Sequence, residues 1–187
     1  MRVIGGKFKG RNLASFKGMS IRPTSDKVRE AIFNILPREF PFKRVLDIFA
    51  GTGAMGIEAL SRGAEDVIFV DSSPSSISVI KKNLEACGVG TQKVFKKDAV
   101  SAVRFFSQKQ ERFDLVFIDP PYDSSLVEET MNAIDNSGIL SPEGVLVAET
   151  SKRIAVKLEY SNLELTDERK YGDTVVYFFS LKEKQDA

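Results

Sequence analysis

The sequence contains no histidine and a single cysteine, Cys87. Without histidine, every mechanism that needs a Ser–His or Cys–His pair is excluded, and so is a zinc site built from the usual nitrogen and sulfur ligands. A lone cysteine cannot form an internal disulfide, which favours a reducing compartment. We therefore expect no metal, and any catalysis must use carboxylates, backbone groups, lysine, tyrosine or a cofactor.

Long hydrophobic runs are also missing. No apolar stretch approaches the roughly 20 residues that span a bilayer, and the first residues lack the apolar core of a signal peptide. The 187 residues are 42% hydrophobic and 28% charged, a composition typical of one globular domain of ordinary size. These features predict a cytoplasmic protein without membrane contact.

Acidic residues are scarce at the start of the chain. Residues 1–30 carry eight basic side chains against Asp26 and Glu30, whereas the remaining chain has 19 basic and 24 acidic residues. The eight are Arg2, Lys7, Lys9, Arg11, Lys17, Arg22, Lys27 and Arg29. A basic segment on an acidic domain is typical of a surface that contacts a phosphate backbone, although a solvated basic face without a partner gives the same pattern.

Strand and helix patterns alternate from residue 44 onward. Near-continuous apolar strands separated by helices predict a mostly parallel sheet that is covered on both faces. Strands are predicted at 45–49, 67–70, 93–95, 115–118 and 145–148, with a closing antiparallel pair at 163–165 and 175–179. Helices are predicted after Arg22-Pro23 and up to Pro37, after the glycine-rich turn at 51–56, and at 77–87 and 125–134.

The first 20 residues predict a small β-hairpin, because Gly5-Gly6 and Gly10 suit turns or bulges between two short extended segments. We therefore divide the chain into a basic N-terminal extension at 1–20 and an α/β domain at 21–187.

An aspartate lies at or near the end of four predicted strands: Asp47, Asp71, Asp98 and Asp119. Ligands of open parallel sheets bind at the carboxyl ends of the strands, beside the point where the strand order reverses. Because a carboxylate in that position is seldom needed for packing, four in succession indicate a binding site.

The turn after the first strand, Gly51-Thr52-Gly53-Ala54-Met55-Gly56, has the spacing of a dinucleotide-binding turn. Its glycines allow the backbone to approach a ligand closely and to enter the next helix. Asp71 follows Gly51 by twenty residues, where a carboxylate would accept hydrogen bonds from ribose hydroxyls. The pattern fits a nicotinamide dinucleotide and other nucleoside-containing cofactors equally well.

The tetrapeptide Asp119-Pro120-Pro121-Tyr122 favours alkylation of an amino group, because hydride transfer from a nicotinamide has no use for it. An amino group conjugated to an aromatic ring is poorly nucleophilic, and acceptors on its N–H bonds hold it and stabilise the charge that develops during alkylation. Asp119 offers a carboxylate and Pro120 a carbonyl, while the prolines stiffen the turn and remove N–H donors. Tyr122 offers a face on which a base can stack.

Several of these segments resemble known methyltransferases. Residues 47–53 resemble the first motif of class I methyltransferases, and residues 119–122 resemble their amino-methylating fourth motif. Residues 1–11, 22–34, 59–64 and 171–174 closely resemble the RsmD family of bacterial 16S rRNA guanine-N2 methyltransferases. This resemblance implies a Rossmann-like α/β fold: a mostly parallel seven-stranded sheet with an antiparallel terminal strand, plus the small N-terminal hairpin.

The resemblance also implies a cofactor, a partner and site residues. The cofactor is S-adenosyl-L-methionine, and the partner is 16S rRNA in the small ribosomal subunit. The implied cofactor-binding residues are Asp47, Phe49, Gly51, Thr52, Gly53, Asp71, Ser72, Asp98 and Ala99. Asp119, Pro120 and Tyr122 would hold the target guanine, and Arg2, Lys7, Lys9, Arg11, Arg22 and Pro121 would lie against RNA. A monomer is expected.

Other functions remain open at this point. A DNA adenine-N6 or cytosine-N4 methyltransferase uses the same tetrapeptide, but usually carries a target-recognition domain for which this chain has no room. A protein-glutamine methyltransferase typically has asparagine at the position of Asp119. A non-catalytic RNA-binding assembly factor would keep the fold, and a nicotinamide-dependent oxidoreductase gives the tetrapeptide no role.

Overall fold

The computed structural model describes residues 1–16, 26–37, 39–121, 124–154 and 156–183. These residues form a seven-stranded sheet with helices on both faces. The strands are β1 (Arg44–Ile48), β2 (Asp66–Asp71), β3 (Lys93–Lys96), β4 (Phe113–Ile118), β5 (Leu140–Ser151), β6 (Leu163–Tyr171) and β7 (Thr174–Leu181). The helices are α1 (Asp26–Ile35), α2 (Ala54–Arg62), α3 (Pro74–Ala86), α4 (Ala99–Gln108) and α5 (Ser124–Asp135).

The strand order is β3-β2-β1-β4-β5-β7-β6. Strands β1 to β5 pair in parallel, whereas β7 is antiparallel to both of its neighbours, β5 and β6. The order reverses between β1 and β4, so the carboxyl ends of these two strands flank the crevice in which such sheets bind ligands. The predicted sheet and its antiparallel strand are thereby confirmed.

Two apolar layers sandwich the sheet because successive strand residues point to opposite faces. In β2, for example, Val67 and Phe69 pack in the layer beneath α1, α2 and α3, while Ile68 and Val70 pack beneath α4 and α5. Every one of these four side chains is at most 1% exposed. Because helices cover both faces, a ligand can reach the sheet only at the ends of its strands.

The N-terminal segment, defined as residues 1–16, is folded back on itself. Backbone bonds join Val3 N–H to the Arg11 carbonyl at 2.9 Å and Leu13 N–H to the Met1 carbonyl at 3.0 Å. The predicted β-hairpin has less strand pairing than expected. Its two arms share one isolated bridge, between Arg2 and Asn12, and a 3₁₀ turn at Gly6–Phe8 lies between them. Val3, Phe8 and Leu13 are buried in the layer that contains α1, α2 and α3, so the segment packs as part of the core.

Helix α4 is a structural element that the sequence pattern did not predict. Asp98 is its N-cap, and Ala99, Ala102, Val103 and Phe106 form its buried face at the spacing of an amphipathic helix. The other predicted helices are present, with α3 beginning earlier, at Pro74, behind the N-cap Ser73. The proposed N-caps of the first helix, Thr24 and Ser25, lie outside the described residues.

Candidate active site

The turn after β1 has an unusual backbone conformation. Phe49, Gly51 and Gly53 have φ values of 62°, 56° and 77°, in the left-handed region that favours glycine. For Phe49 this conformation is strained, which is characteristic of functional sites. The turn is tied to β2 by a bond from Ala50 N–H to the Val70 carbonyl at 3.0 Å.

Gly56 allows α2 to lie close against the sheet. A Cβ at this position would stand 2.3 Å from Cε1 of Phe69, closer than real Cβ contacts. The glycine therefore lets the first turn of α2 pack directly against the side chain of Phe69 in β2.

Asp71, at the end of β2, is held by two backbone N–H groups. Gly51 N–H donates to Oδ2 at 2.9 Å, and Ser73 N–H donates to Oδ1 at 2.8 Å. Because each carboxylate oxygen has a second lone pair, both remain able to accept a ligand hydroxyl. Ser72, which lies between Asp71 and Ser73 in the chain, is exposed. The structure thus fixes Asp71 against the glycine turn.

Asp47 is a buried carboxyl group in β1, with 3% of the residue exposed. Its Oδ2 accepts a hydrogen bond from Gly56 N–H at 2.9 Å. Burial raises its pKa to about 7, and the negative charges of Asp119 and Asp71 act in the same direction, while the Gly56 bond opposes them. The ends of β2 and β4 therefore place the carboxyl groups of Asp71 and Asp119 within electrostatic range of Asp47.

Asp98 has a clear structural role at the start of α4. Its Oδ1 accepts a bond from Ser101 N–H at 2.8 Å, and hydrogen bonds from Ser101 lower the pKa of the carboxyl group. The residue is exposed, and the following Ala99 is buried. A residue predicted to contact the ligand is thus observed as a helix cap, and its other lone pairs stay available for the predicted contact.

The Asp119 tetrapeptide begins directly after β4. Asp119 is half-buried, Pro120 is buried and Pro121 is exposed. Asp119 lies close enough to Asp47 to raise the pKa of that group. The predicted stacking residue Tyr122 lies outside the described residues.

The basic side chains of the N-terminal segment point outward. Arg2, Lys7, Lys9 and Arg11 are all exposed. The Lys7 ammonium and the Arg11 guanidinium lie 4.8 and 5.5 Å from the ring centroid of Phe8, which is itself buried. Phe8 therefore anchors two of the four cations. Arg22, the other basic residue predicted to contact RNA, lies outside the described residues.

Asn83 on α3 connects this segment to the glycine turn and was not predicted. Its Nδ2 donates to the carbonyls of Ala14 at 3.1 Å and Thr52 at 2.9 Å, and its Oδ1 accepts from Ala14 N–H at 2.7 Å. The Thr52 hydroxyl in turn donates to Met1 Sδ at 3.7 Å. No sequence signal marked Asn83, because its partners lie 31 and 69 residues away in the chain.

Two further residues on α2, Glu58 and Ser61, fasten the N-terminal segment. Glu58 is 1% exposed and accepts from Ile4 N–H and Gly5 N–H, both at 2.8 Å. Ser61 Oγ accepts from Phe8 N–H at 2.9 Å. At Gly6, φ is +69° and a Cβ would stand 1.8 Å from the Ser61 carbonyl oxygen, so only glycine fits there.

Within the described residues, no group of three His, Cys, Asp or Glu side chains could hold a metal ion. In the same part of the chain, no helix is both long and apolar enough to cross a bilayer.

Comparison with known proteins identifies the family. A family model, Conserved hypothetical protein 95, matches residues 1–180. Ribosomal RNA small subunit methyltransferase D of Escherichia coli K12 is 34% identical over 185 residues, which cover 99% of this chain and 91% of that protein. YlbH of Bacillus subtilis, a putative rRNA methyltransferase by its name, is 38% identical over 180 residues, 96% of this chain and 98% of that protein.

Solved structures agree with these sequence relatives. Escherichia coli yhhF superposes with a TM-score of 0.85 at 32% identity, covering 98% of this chain and 99% of that one. A hypothetical protein of Thermus thermophilus superposes with a TM-score of 0.84 at 27% identity, covering 97% of this chain and 99% of that one. The chain therefore belongs to the RsmD family of S-adenosylmethionine-dependent rRNA methyltransferases.

Proposed function

We propose that the protein methylates the exocyclic N2 amino group of a guanine in 16S rRNA of the small ribosomal subunit. One observation carries the proposal. The Asp119-Pro120 acceptors follow β4 at the switch point of the sheet, next to a β1 turn whose backbone is tied to Asp71. Target amine and cofactor would thus meet where the strand order reverses. We further propose that the protein acts as a cytoplasmic monomer, without metal.

The charges of the site fit the cofactor. S-adenosylmethionine supplies an electrophilic methyl group on a positively charged sulfonium, and it also carries an ammonium group. Burial is the main cause of the raised pKa of Asp47, and the negative charges of Asp119 and Asp71, which lie within electrostatic range of it, raise that pKa further. A cationic ligand relieves that repulsion. Asp71 also keeps lone pairs for ribose hydroxyls, as a nucleoside requires.

The protein groups at β4 would act on the amine. The Asp119 carboxylate accepts one N–H of the target and the Pro120 carbonyl accepts the other, which orients the nitrogen lone pair towards the methyl group. As positive charge develops on nitrogen, the same carboxylate stabilises it. Most of the rate then comes from alignment and electrostatics, which suits a chain without histidine.

The decisive experiment is a transfer assay with tritiated S-adenosylmethionine. Small subunits from an unmethylated strain, free 16S rRNA and duplex DNA are offered in parallel, and the products are digested to nucleosides. We expect label in N2-methylguanosine from a ribosomal substrate. Label confined to DNA would favour a DNA methyltransferase, and cofactor binding without transfer to any substrate would favour a non-catalytic role.

The raised pKa of Asp47 predicts pH-dependent cofactor binding. The carboxylate form attracts a cation and the neutral form does not, so affinity for S-adenosylmethionine should rise as the pH increases through the pKa of about 7. A single coupled proton allows at most about a tenfold change per pH unit. Calorimetric titration of wild type and Asp47→Asn measures it. In Asp47→Asn, the affinity for S-adenosylmethionine should no longer rise with pH in this range. Equal slopes of affinity against pH in both proteins would refute the assignment of the pH dependence to Asp47.

The N-terminal cations predict a charge-dependent contact with RNA. Changing Lys7, Lys9 and Arg11 together to glutamate should weaken binding to 16S rRNA by roughly a hundredfold, because fewer phosphates are neutralised. It should also make binding less salt-dependent, by about 0.7 to 0.9 in log–log slope for each phosphate that is no longer neutralised. Binding is measured across a salt series without cofactor. The affinity of the matching glutamine variant should lie between those of wild type and the glutamate variant. Unchanged affinity of the glutamate variant would show that the segment does not contact RNA.

A further inference from the structure

Charge is divided unevenly between the residues around the β3 edge of the sheet and those from β4 onward, which are called the acidic half below. Residues 81–112, which run from α3 through β3 and α4, contain eight basic and three acidic side chains. Residues 113–187, which include β4 to β7 and α5, contain seven basic and fifteen acidic side chains. The first stretch has a net charge of +5 and the second of −8. The sheet is therefore positive towards its β3 edge and negative towards its β6 edge.

The positive side chains lie on the outside of the molecule. Lys81 and Lys82 are exposed on α3, whose opposite face buries Ile80 and Leu84 against the sheet. Lys96 is exposed at the end of β3, the edge strand. Helix α3 packs against both β2 and β3, so these cations share one side of the sheet edge.

Most of these cations have no carboxylate partner. Across the described ranges, Lys81, Lys82, Lys96 and Lys97 form no ion pair within 4.0 Å. In the acidic half, three cations pair with neighbouring carboxylates: Lys152 with Asp173, Arg169 with Asp167, and Lys170 with Glu168. The lysines around β3 are thus available to a polyanion. In the acidic half, by contrast, part of the positive charge is neutralised by neighbouring carboxylates.

An aromatic ring lies beside one of these lysines, on the face of the sheet that α4 covers. The ammonium groups of Lys97 and Lys109 stand 5.1 and 5.0 Å from the ring centroid of Phe105, a half-buried side chain of α4. Such contacts hold two lysine side chains near one partly exposed ring. Lysines around an accessible ring are the combination that single-stranded nucleic acid uses for backbone and base contacts.

This region is continuous with the N-terminal segment. Nη1 of Arg11 donates to the Ala86 carbonyl at the end of α3, at 2.6 Å, and Asn83 of α3 bonds to Ala14. A strand of RNA that contacts Lys7, Lys9 and Arg11 therefore reaches α3 without crossing the acidic half.

We propose that Lys81, Lys82, Lys96 and Lys97, with Phe105 beside Lys97, form a second RNA-binding surface that passes around the β3 edge from the α3 face to the α4 face of the sheet, named here the α3–β3 surface. It extends the N-terminal contact along the β3 edge and rests on the proposed rRNA methyltransferase function. Glu85 and Asp98 are exposed carboxylates within it. RNA follows this edge and avoids the acidic half around β6.

The test compares two double charge reversals. Lys82→Glu with Lys96→Glu removes one cation from α3 and one from β3, while the control, Lys157→Glu with Lys182→Glu, makes the same charge change near the β6 edge. Fluorescence anisotropy with labelled 16S rRNA, without cofactor and across a salt series, reports affinity. We expect at least about a tenfold loss for the first variant, with a log–log salt slope reduced by about 1.5, and less than roughly a threefold loss for the control.

Equal losses of affinity in both variants would overturn the proposed surface, since the change in net charge alone would then explain them. An unchanged salt slope in Lys82→Glu/Lys96→Glu would overturn it as well. The glutamine pair at positions 82 and 96 repeats the test if the glutamate pair fails to fold. Tritium transfer to guanine by the wild-type protein is measured separately. Failure of transfer refutes the proposed reaction, whereas loss of the RNA-affinity difference refutes only the surface.

Discussion

Asp119→Ala is expected to lose on the order of a thousandfold in kcat while binding S-adenosylmethionine within a few-fold of wild type. The loss follows from removing the carboxylate that accepts the target N–H and stabilises the charge on nitrogen, an effect comparable to deleting one preorganised catalytic hydrogen-bonding group. Cofactor affinity should survive because Asp71 and the glycine turn, which contact each other directly, are unchanged. Single-turnover transfer and calorimetry measure the two quantities.

Asp119→Asn is the matched control. The amide keeps one acceptor oxygen in nearly the same place but lacks the negative charge, so its activity should lie between those of wild type and the alanine variant. Both variants remove a negative neighbour of Asp47 and should lower the pKa of that group. Wild-type turnover in Asp119→Ala would disprove the assigned role.

Glu58→Ala should produce a large loss of stability through a residue with no role in the predicted chemistry. Glu58 is buried, accepts the Ile4 and Gly5 N–H groups, and pairs with Arg62 at 2.9 Å and with the fully buried Arg29 at 3.8 Å. Arg29 also pairs through Nη2 with Asp26 at 3.1 Å, but the Asp26 side chain is 46% exposed. Glu58 is therefore the buried carboxylate that compensates the charge of Arg29, whose Nε and Nη1 have no hydrogen-bond partner among the described residues. Removing one partner of a buried pair costs about 3 to 5 kcal/mol.

For a chain of this length, a loss of that size lowers the melting temperature by roughly 6 to 20 °C. Differential scanning calorimetry of Glu58→Ala measures the shift, and Glu65→Ala provides the control. Glu65 also pairs with a basic side chain, Lys43, but the two side chains are 68% and 59% exposed, so little change is expected. Similar melting temperatures for both variants would show that the Glu58 contacts do not stabilise the fold.

The sheet could be predicted because its determinants are local in sequence. The runs Val45-Leu46 and Val67 to Val70 are apolar on both faces, which is the pattern of a strand covered by helices, and both strands are present. The strand-end aspartates could be grouped for the same reason, since parallel strands end at one edge. The proximity of Asp47, Asp71 and Asp119 follows from that rule. Their catalytic and binding roles stay predictions.

Most of the features that the sequence did not predict depend on contacts between distant parts of the chain. Asn83 is one polar residue on a mostly polar helix, and only the folded structure shows that it bonds to Ala14 and Thr52. Glu58 resembles an ordinary helix residue until Ile4 and Gly5 pack against it. Helix α4 is different, because its N-cap and its apolar spacing are both local. The position of Asp98 after a strand indicates a ligand contact, but the same side chain also caps a helix.

The anchoring of the N-terminal segment has a consequence for how the chain folds. Ile4, Gly5 and Phe8 reach partners that lie 53 to 54 residues later in the sequence. During vectorial synthesis these first residues emerge long before α2 exists to receive them, and closing so long a loop carries a substantial entropic cost. Docking of the segment must therefore wait for α2. Incompletely folded chains consequently lack the ordered array of Lys7, Lys9 and Arg11 on the surface of the protein.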